Sequence, residues 1–190
     1  SNTGTFTTAD AADLTVTGQF TQDGAGTSSI GADSTATAGM SFAKGILFGG
    51  SDLVTLATGG GAGQDIVLGT DATTDITGSG QALTLDAGAG GDITIEGDVG
   101  AAAAALGAIV ITNADQVLFD ETVTAASLTQ SGANATTGVT TFDGAVTLTD
   151  AFDFTGEALT LNAALASSTV AVTNAGTFTT AAAGDITPTG

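Results

Sequence analysis

The sequence predicts an all-β chain wound as a parallel β-helix of about eight short coils. Three observations predict it. The beginning and end of the chain restate each other, short strand-like runs recur at close intervals, and the composition favours strands and tight turns over helices. Residues 2–18 read NTGTFTTADAADLTVTG and residues 174–190 read NAGTFTTAAAGDITPTG; without a gap, at an offset of 172, they agree at 12 of 17 positions. Self-similarity at a fixed spacing marks architectures that grow in one dimension by stacking like units. The 190 residues then form a single solenoid segment, 1–190, holding one 172-residue period and an overlap.

The runs come in chain order as Thr5–Thr8, Leu14–Thr17, Leu53–Leu56, Ile66–Leu68, Leu83–Asp86, Ile93–Glu96, Ile109–Thr112, Val117–Phe119, Val139–Phe142, Val146–Thr149, Leu159–Asn162 and Val170–Thr173. ALTLD, DITIE and ALTLN alternate, with Leu or Ile on one face and Thr or Asp on the other, which is the period of a half-buried strand. Gly, Asn or Asp punctuates almost every gap, as turns require. A coil of roughly 20–25 residues cannot bury its apolar side chains alone, and a second coil stacked about 4.8 Å away pairs every strand edge and closes the core. Ala101–Ala105 departs from this pattern. Five alanines are too few for an independent helix, so the stretch reads as a turn insertion or one helical turn.

Inside the chain there are further echoes. FTQDGA (20–25) answers LTQSGA (128–133), ALTLDA (82–87) answers ALTLNA (158–163), ITNAD (111–115) answers VTNAG (172–176), and Ser41-Phe42 answers Thr141-Phe142. Their order is kept while their intervals vary, as insertions bulging from the turns of a stack would allow.

Composition narrows the function. The chain has 29 Gly, 1 Pro, 9 Phe and neither Trp nor Tyr, and Thr makes up about a fifth of it. Thr, Val, Ile and Phe suit strands, and Gly, Asp and Asn suit turns. Seventeen Asp and three Glu oppose one cation, Lys44, for a formal net charge of −19. Such a polyanion repels nucleic-acid phosphates and anionic lipid surfaces. Most carboxylates are expected to cap turns and keep a fibre soluble. No apolar run approaches 18 residues, so no membrane-spanning helix is expected. The absence of Cys excludes a disulfide framework.

Catalysis has few candidate groups, because His, Cys, Tyr and Arg are missing. Carboxylate pairs such as Asp71/Asp75 and Asp150/Asp153 could in principle cleave glycosides, but they read as turn and solvent-facing residues, and the chain is expected not to be an enzyme. Calcium is the better chemical idea. Gly60–Leu68 (GGAGQDIVL) fits the nonapeptide of calcium-binding β-rolls once, which singles out Asp65 as a candidate metal ligand through hard carboxylate oxygen. A partial echo follows at Gly88–Ile93. The Asn134-Ala135-Thr136 sequon reads as incidental.

FTQDGAG, ALTLDAGAGGDITIEGDVG, LGAIVITNA, VLFDETVTAASLTQ and TTFDGAVTLT resemble the tandem repeats of very large bacterial surface proteins of the filamentous-haemagglutinin-like kind. The resemblance covers roughly Thr15 to Gly190. It implies a right-handed parallel β-helix, export to the bacterial surface, and work as an adhesin or extracellular fibre. The expected function is therefore a structural filament or stalk built by end-to-end stacking on identical subunits or adjacent repeats. Phe6, Leu14, Val16, Phe178 and Ile186 of the two terminal words are the expected interface residues. The alternatives are an adhesin module recognising a receptor or glycan, and a polysaccharide-active enzyme.

Overall fold

The computed structural model describes residues 4–50, 53–131 and 138–189, and in these it contains 23 strands and no helix. Asn2 and Gly190 of the terminal words and the Asn134 sequon lie outside the described residues.

Each coil lays one strand on each of three faces. The first is β1 (Phe6–Thr8), β2 (Leu14–Val16) and β3 (Phe20–Gln22), and the second β4 (Ser28–Ile30), β5 (Ser34–Ala36) and β6 (Met40–Phe42). The third is β7 (Ile46–Phe48), β8 (Leu53–Thr58) and β9 (Ile66–Leu68), and the fourth β10 (Ile76–Thr77), β11 (Ala82–Asp86) and β12 (Ile93–Ile95). In the fifth, a single bridge at Val99 takes the first face before β13 (Leu106–Asn113) and β14 (Val117–Phe119). In the sixth, β15 (Val123–Gln130) rounds the corner between the first two faces and β16 (Val139–Phe142) supplies the third. The seventh is β17 (Val146–Leu148), β18 (Ala151–Gly156) and β19 (Ala158–Leu161), and the eighth β20 (Leu165–Ser167), β21 (Thr169–Asn174) and β22 (Phe178–Thr180). β23 (Ile186–Pro188) opens a ninth coil on the first face.

Every strand pairing among the described residues is parallel, and the inward columns align from end to end, with a register shift in the pairing of β11 with β13, where Leu85 faces Ile111 but Asp86 faces Asn113. On the first face one column runs Phe6, Ser28, Ile46, Ile76, Val99, Val123, Val146, Leu165, Ile186. On the second, Leu14, Ser34, Leu56, Leu85, Ile111, Gln130, Phe154 and Val172 align. On the third, Gln22, Phe42, Leu68, Ile95, Phe119, Phe142, Leu161 and Thr180 align. In a half-buried strand alternate side chains point to the same face. The aligned columns thus form one continuous thin core in which Leu56, Leu85, Ile95, Ile111 and Phe42 are fully buried. Phe119 and Phe142 stack at 4.8 Å and 10°, and Phe142 meets Phe152 edge-on at 5.8 Å.

Coil length varies at the corners. Eight coils separate Phe6 from Ile186, yet Ser28 to Ile46 takes 18 residues and Ile46 to Ile76 takes 30. The alanine stretch is one such corner. The Ala104 N–H donates to the Ala101 carbonyl at 2.8 Å, closing a turn just before β13 begins.

Glycine is needed where corners stack. Gly88 has φ +67°, and a Cβ there would lie 2.2 Å from the Cα of Gly60 in the coil below, itself at φ +81°. Both the left-handed backbone and the backbone-to-backbone approach demand glycine.

Candidate functional site

The most distinctive chemistry lies at the two ends of the stack. A coil in the middle has its backbone groups paired above and below. The outer edges of β1, β2 and β3 at one end, and of β21, β22 and β23 at the other, have no strand partner among the described residues. Such edges are templates for further strands. The side chains beside them are incompletely covered. Phe178 is 41% exposed and Ile186 36% exposed, whereas their column mates Leu159 and Leu165 are buried. At the opposite end Phe6, Leu14, Val16 and Phe20 are half-buried, and Phe6 and Phe20 pack ring to ring at 5.3 Å.

The five expected interface residues therefore divide into two groups. Phe6, Leu14 and Val16 belong to the first coil, and Phe178 and Ile186 to the last two strands. They do not meet within one chain. The two copies of the repeated word also lie on different faces. Phe6-Thr7-Thr8 is on the first face and Phe178-Thr179-Thr180 on the third, while Leu14–Val16 is on the second and Ile186–Pro188 on the first.

The acidic residues do something that the sequence reading missed. They were expected to cap their own turns, and Asp71 does so: its Oδ1 accepts the Thr73 N–H at 2.9 Å and the Thr73 hydroxyl, which holds its pKa below the ordinary carboxylate value. Other carboxylates instead reach up to the next coil. Asp33 Oδ1 accepts the Thr55 N–H at 2.7 Å, Asp65 the Asp92 N–H at 3.0 Å, Asp92 the Gln116 N–H at 3.1 Å, and Asp98 the Thr122 N–H at 3.0 Å. Asp143 Oδ1 accepts from Asn162 Nδ2 at 2.6 Å. These charge-assisted bonds staple corner to corner along the axis. The signal available in the sequence is an Asp or Gln immediately before the strand in successive coils, as at Asp65, Asp92 and Gln116.

Asp92 sits in such a column. Burial raises its pKa, the bond from Gln116 lowers it, and the nearby charges of Asp65 and Asp115 raise it further. As for calcium, the Asp65 carboxylate is engaged by the Asp92 N–H, and no group of three or more His, Cys, Asp or Glu converges to hold a metal ion among the described residues. This donor set does not fit a chelated ion, which needs six to eight oxygens.

The carboxylate pairs are open to water. Asp71, Asp75, Asp150 and Asp153 are all exposed. The one cation, Lys44, borders a cleft of about 360 Å³ on the first face, lined also by Thr27, Leu47, Thr73, Asp75 and Thr77. Leu47 is half exposed there. No helix among the described residues is long and apolar enough to cross a membrane.

Comparison with known proteins returns nothing: no family model, no curated protein and no solved structure matches this chain. The part of the filamentous-haemagglutinin-like resemblance that the structure carries is the repetitive parallel β-solenoid itself.

Proposed function

We propose that this chain is an extracellular structural protein that forms a filament or stalk by stacking end to end on identical neighbours, supplied either by other subunits or by adjacent repeats. One observation carries the reading: among the described residues the outermost strands at both ends of a continuous parallel stack have a free edge, flanked by exposed Phe178 and Ile186 at one end and by half-buried Phe6 and Val16 at the other. A neighbour seated there would extend three sheets at once and cover apolar surface, gaining both backbone bonding and burial. The acidic coat of a −19 chain would keep such filaments from bundling sideways. The surface and export expectation belongs with the phrase-level resemblance to bacterial surface repeats. The reading assigns no catalytic step and no bound cofactor.

A second reading, an adhesin module, draws on the cleft beside Lys44. Hydroxyls, one cation and an exposed Leu47 there would suit a small polar ligand. The two roles are compatible in one fibre.

The test of the first reading is direct. Purified chain at rising concentration should form unbranched filaments by negative-stain microscopy, and Phe178→Glu with Ile186→Glu should abolish them while circular dichroism stays β. Wild-type chain that stays monomeric at all concentrations, or filaments unchanged in the double variant, would refute it.

A further inference from the structure

The 172-residue period does not equal a whole number of coils. The FTT word begins on the first face of coil one and returns on the third face of coil eight. The LTV word begins on the second face of coil one and returns, as ITP, on the first face of coil nine. Both words give the same displacement of seven and two-thirds coils. We infer that successive units of this repeat turn by one face each, so that the same surface is shown on the three faces in rotation and returns to its first orientation after three units. The inference rests on the reading of the chain as a stacking repeat, and it specifies the geometry of that stacking.

Two physical points support it. First, a strand phrase here is portable between faces. FTQ lies on the third face as β3, while its echo LTQ (128–130) lies on the second, with Thr129 in the column of Asp153 and Ala171. ALTL lies on the second face as part of β11 and on the third as β19. Each face asks only for alternate inward apolar side chains and outward polar ones, so a phrase satisfying one satisfies another. Second, the corners absorb the change of phase, because their lengths already vary from coil to coil.

The consequence is a fibre without a preferred side. Three periods make 516 residues and 23 coils, and at about 4.8 Å per coil the pattern would repeat every ~110 Å. An outward motif of the unit would reappear about every 37 Å along the axis, pointing each time in a new one of three directions. A filament of this kind can engage a surface or a neighbour from any side.

The experiment extends the chain by one period, joining residues 19–190 directly after Gly190. The native sequence has no Cys, so introduced thiols are unambiguous. One thiol replaces Thr21 of the second unit. The other replaces either Ala171 on the second face or Thr179 on the third, both in the first unit. Rotation by one face places the second FTQ beside β21, as LTQ is placed beside β18. The Ala171→Cys pair should then lose both free thiols to a short bis-thiol crosslinker, and the Thr179→Cys pair should keep them. The opposite pattern means that the period is a whole number of coils and overturns the inference while leaving stacking intact. A control pair within the first unit, Thr160→Cys with Thr179→Cys, tests the third-face position of the returning word, since those residues are register partners. If the control pair fails to close, the phase difference is wrong. If the control closes and neither test pair does, the second unit is not stacked, and the filament reading falls together with its rotation.

Discussion

Removing the ring at Phe142 tests whether the thin core holds the stack together coil by coil. Phe142 is 1% exposed, lies flat on Phe119 at 4.8 Å, and takes the edge of Phe152 at 5.8 Å. Phe142→Ala leaves a cavity bounded above and below by coils whose spacing is fixed by backbone hydrogen bonds, so the site cannot collapse. Buried Phe→Ala substitutions cost about 3–5 kcal/mol, and two lost ring contacts, each worth about 0.5–1.5 kcal/mol, favour the upper half of that range. Phe178→Ala, at a position 41% exposed with no coil above it, should cost about 1 kcal/mol in the unassembled chain. The assay is urea unfolding followed by amide hydrogen exchange at low concentration. Because each coil contacts only its neighbours, the loss should be local. Amides of β14, β16 and β19 should lose protection first, while the Met40 N–H, four coils from Phe142 and bonded to the Asp65 carbonyl of the adjoining coil, stays protected. A Phe142→Ala cost below about 1.5 kcal/mol, or an equal loss of protection in every coil, would refute the picture of a core assembled from coil-to-coil contacts.

Two further outcomes follow from the corners. Gly88→Ala should destabilise by more than the roughly 1 kcal/mol of a left-handed alanine, since its Cβ meets the Gly60 backbone at 2.2 Å; a urea midpoint equal to wild type would show that the two corners are not stacked. Asp92 has a raised pKa, so its favourable contribution is complete below the ordinary value of 3.8 and is lost as pH rises through the raised one. Asp92→Asn keeps an acceptor for the Gln116 N–H without the charge, and should be more stable than wild type at pH 7 with the advantage vanishing at pH 3. Paired urea titrations at the two pH values check this, and a variant less stable at pH 7 would contradict it.

The parallel stack was legible wherever an inward apolar column coincided with strict alternation. ALTLD, DITIE and ALTLN became β11, β12 and β19 within a residue or so. The second coil was not legible, because its inward positions are partly polar. Ser28 and Ser34 are 1% and 0% exposed, and SSI and STA carry no hydrophobic period. β7 was hidden for the opposite reason: Leu47 points outward between inward Ile46 and Phe48, so ILF reads as an unbroken apolar run. In β18, Phe152 and Phe154 face inward about Asp153, yet Asp150 and Gly156 mark the same stretch as a turn.

The terminal words were legible as a repeat, but not as occupants of different faces. Which face a word reaches depends on the summed lengths of all the corners before it. A corner can gain residues without altering the period-2 signal of the strands on either side, so alternation carries no information about rotation. The same limit hid the staples between coils. An Asp preceding a strand reads as a local cap, because nothing in its own turn shows whether the nearest free N–H is its own or that of the coil above. Once the coils are stacked the second choice wins at Asp33, Asp65, Asp92 and Asp98. Each carboxylate bonds a backbone N–H of the next coil, at a corner for Asp65, Asp92 and Asp98 and within β8 for Asp33. Acidity in this chain is thus part of what joins one coil to the next as well as what surrounds the stack. Truncating these side chains to alanine, which removes the acceptor itself, loosens corners before it affects strands, since the strands keep their own ladder of backbone bonds.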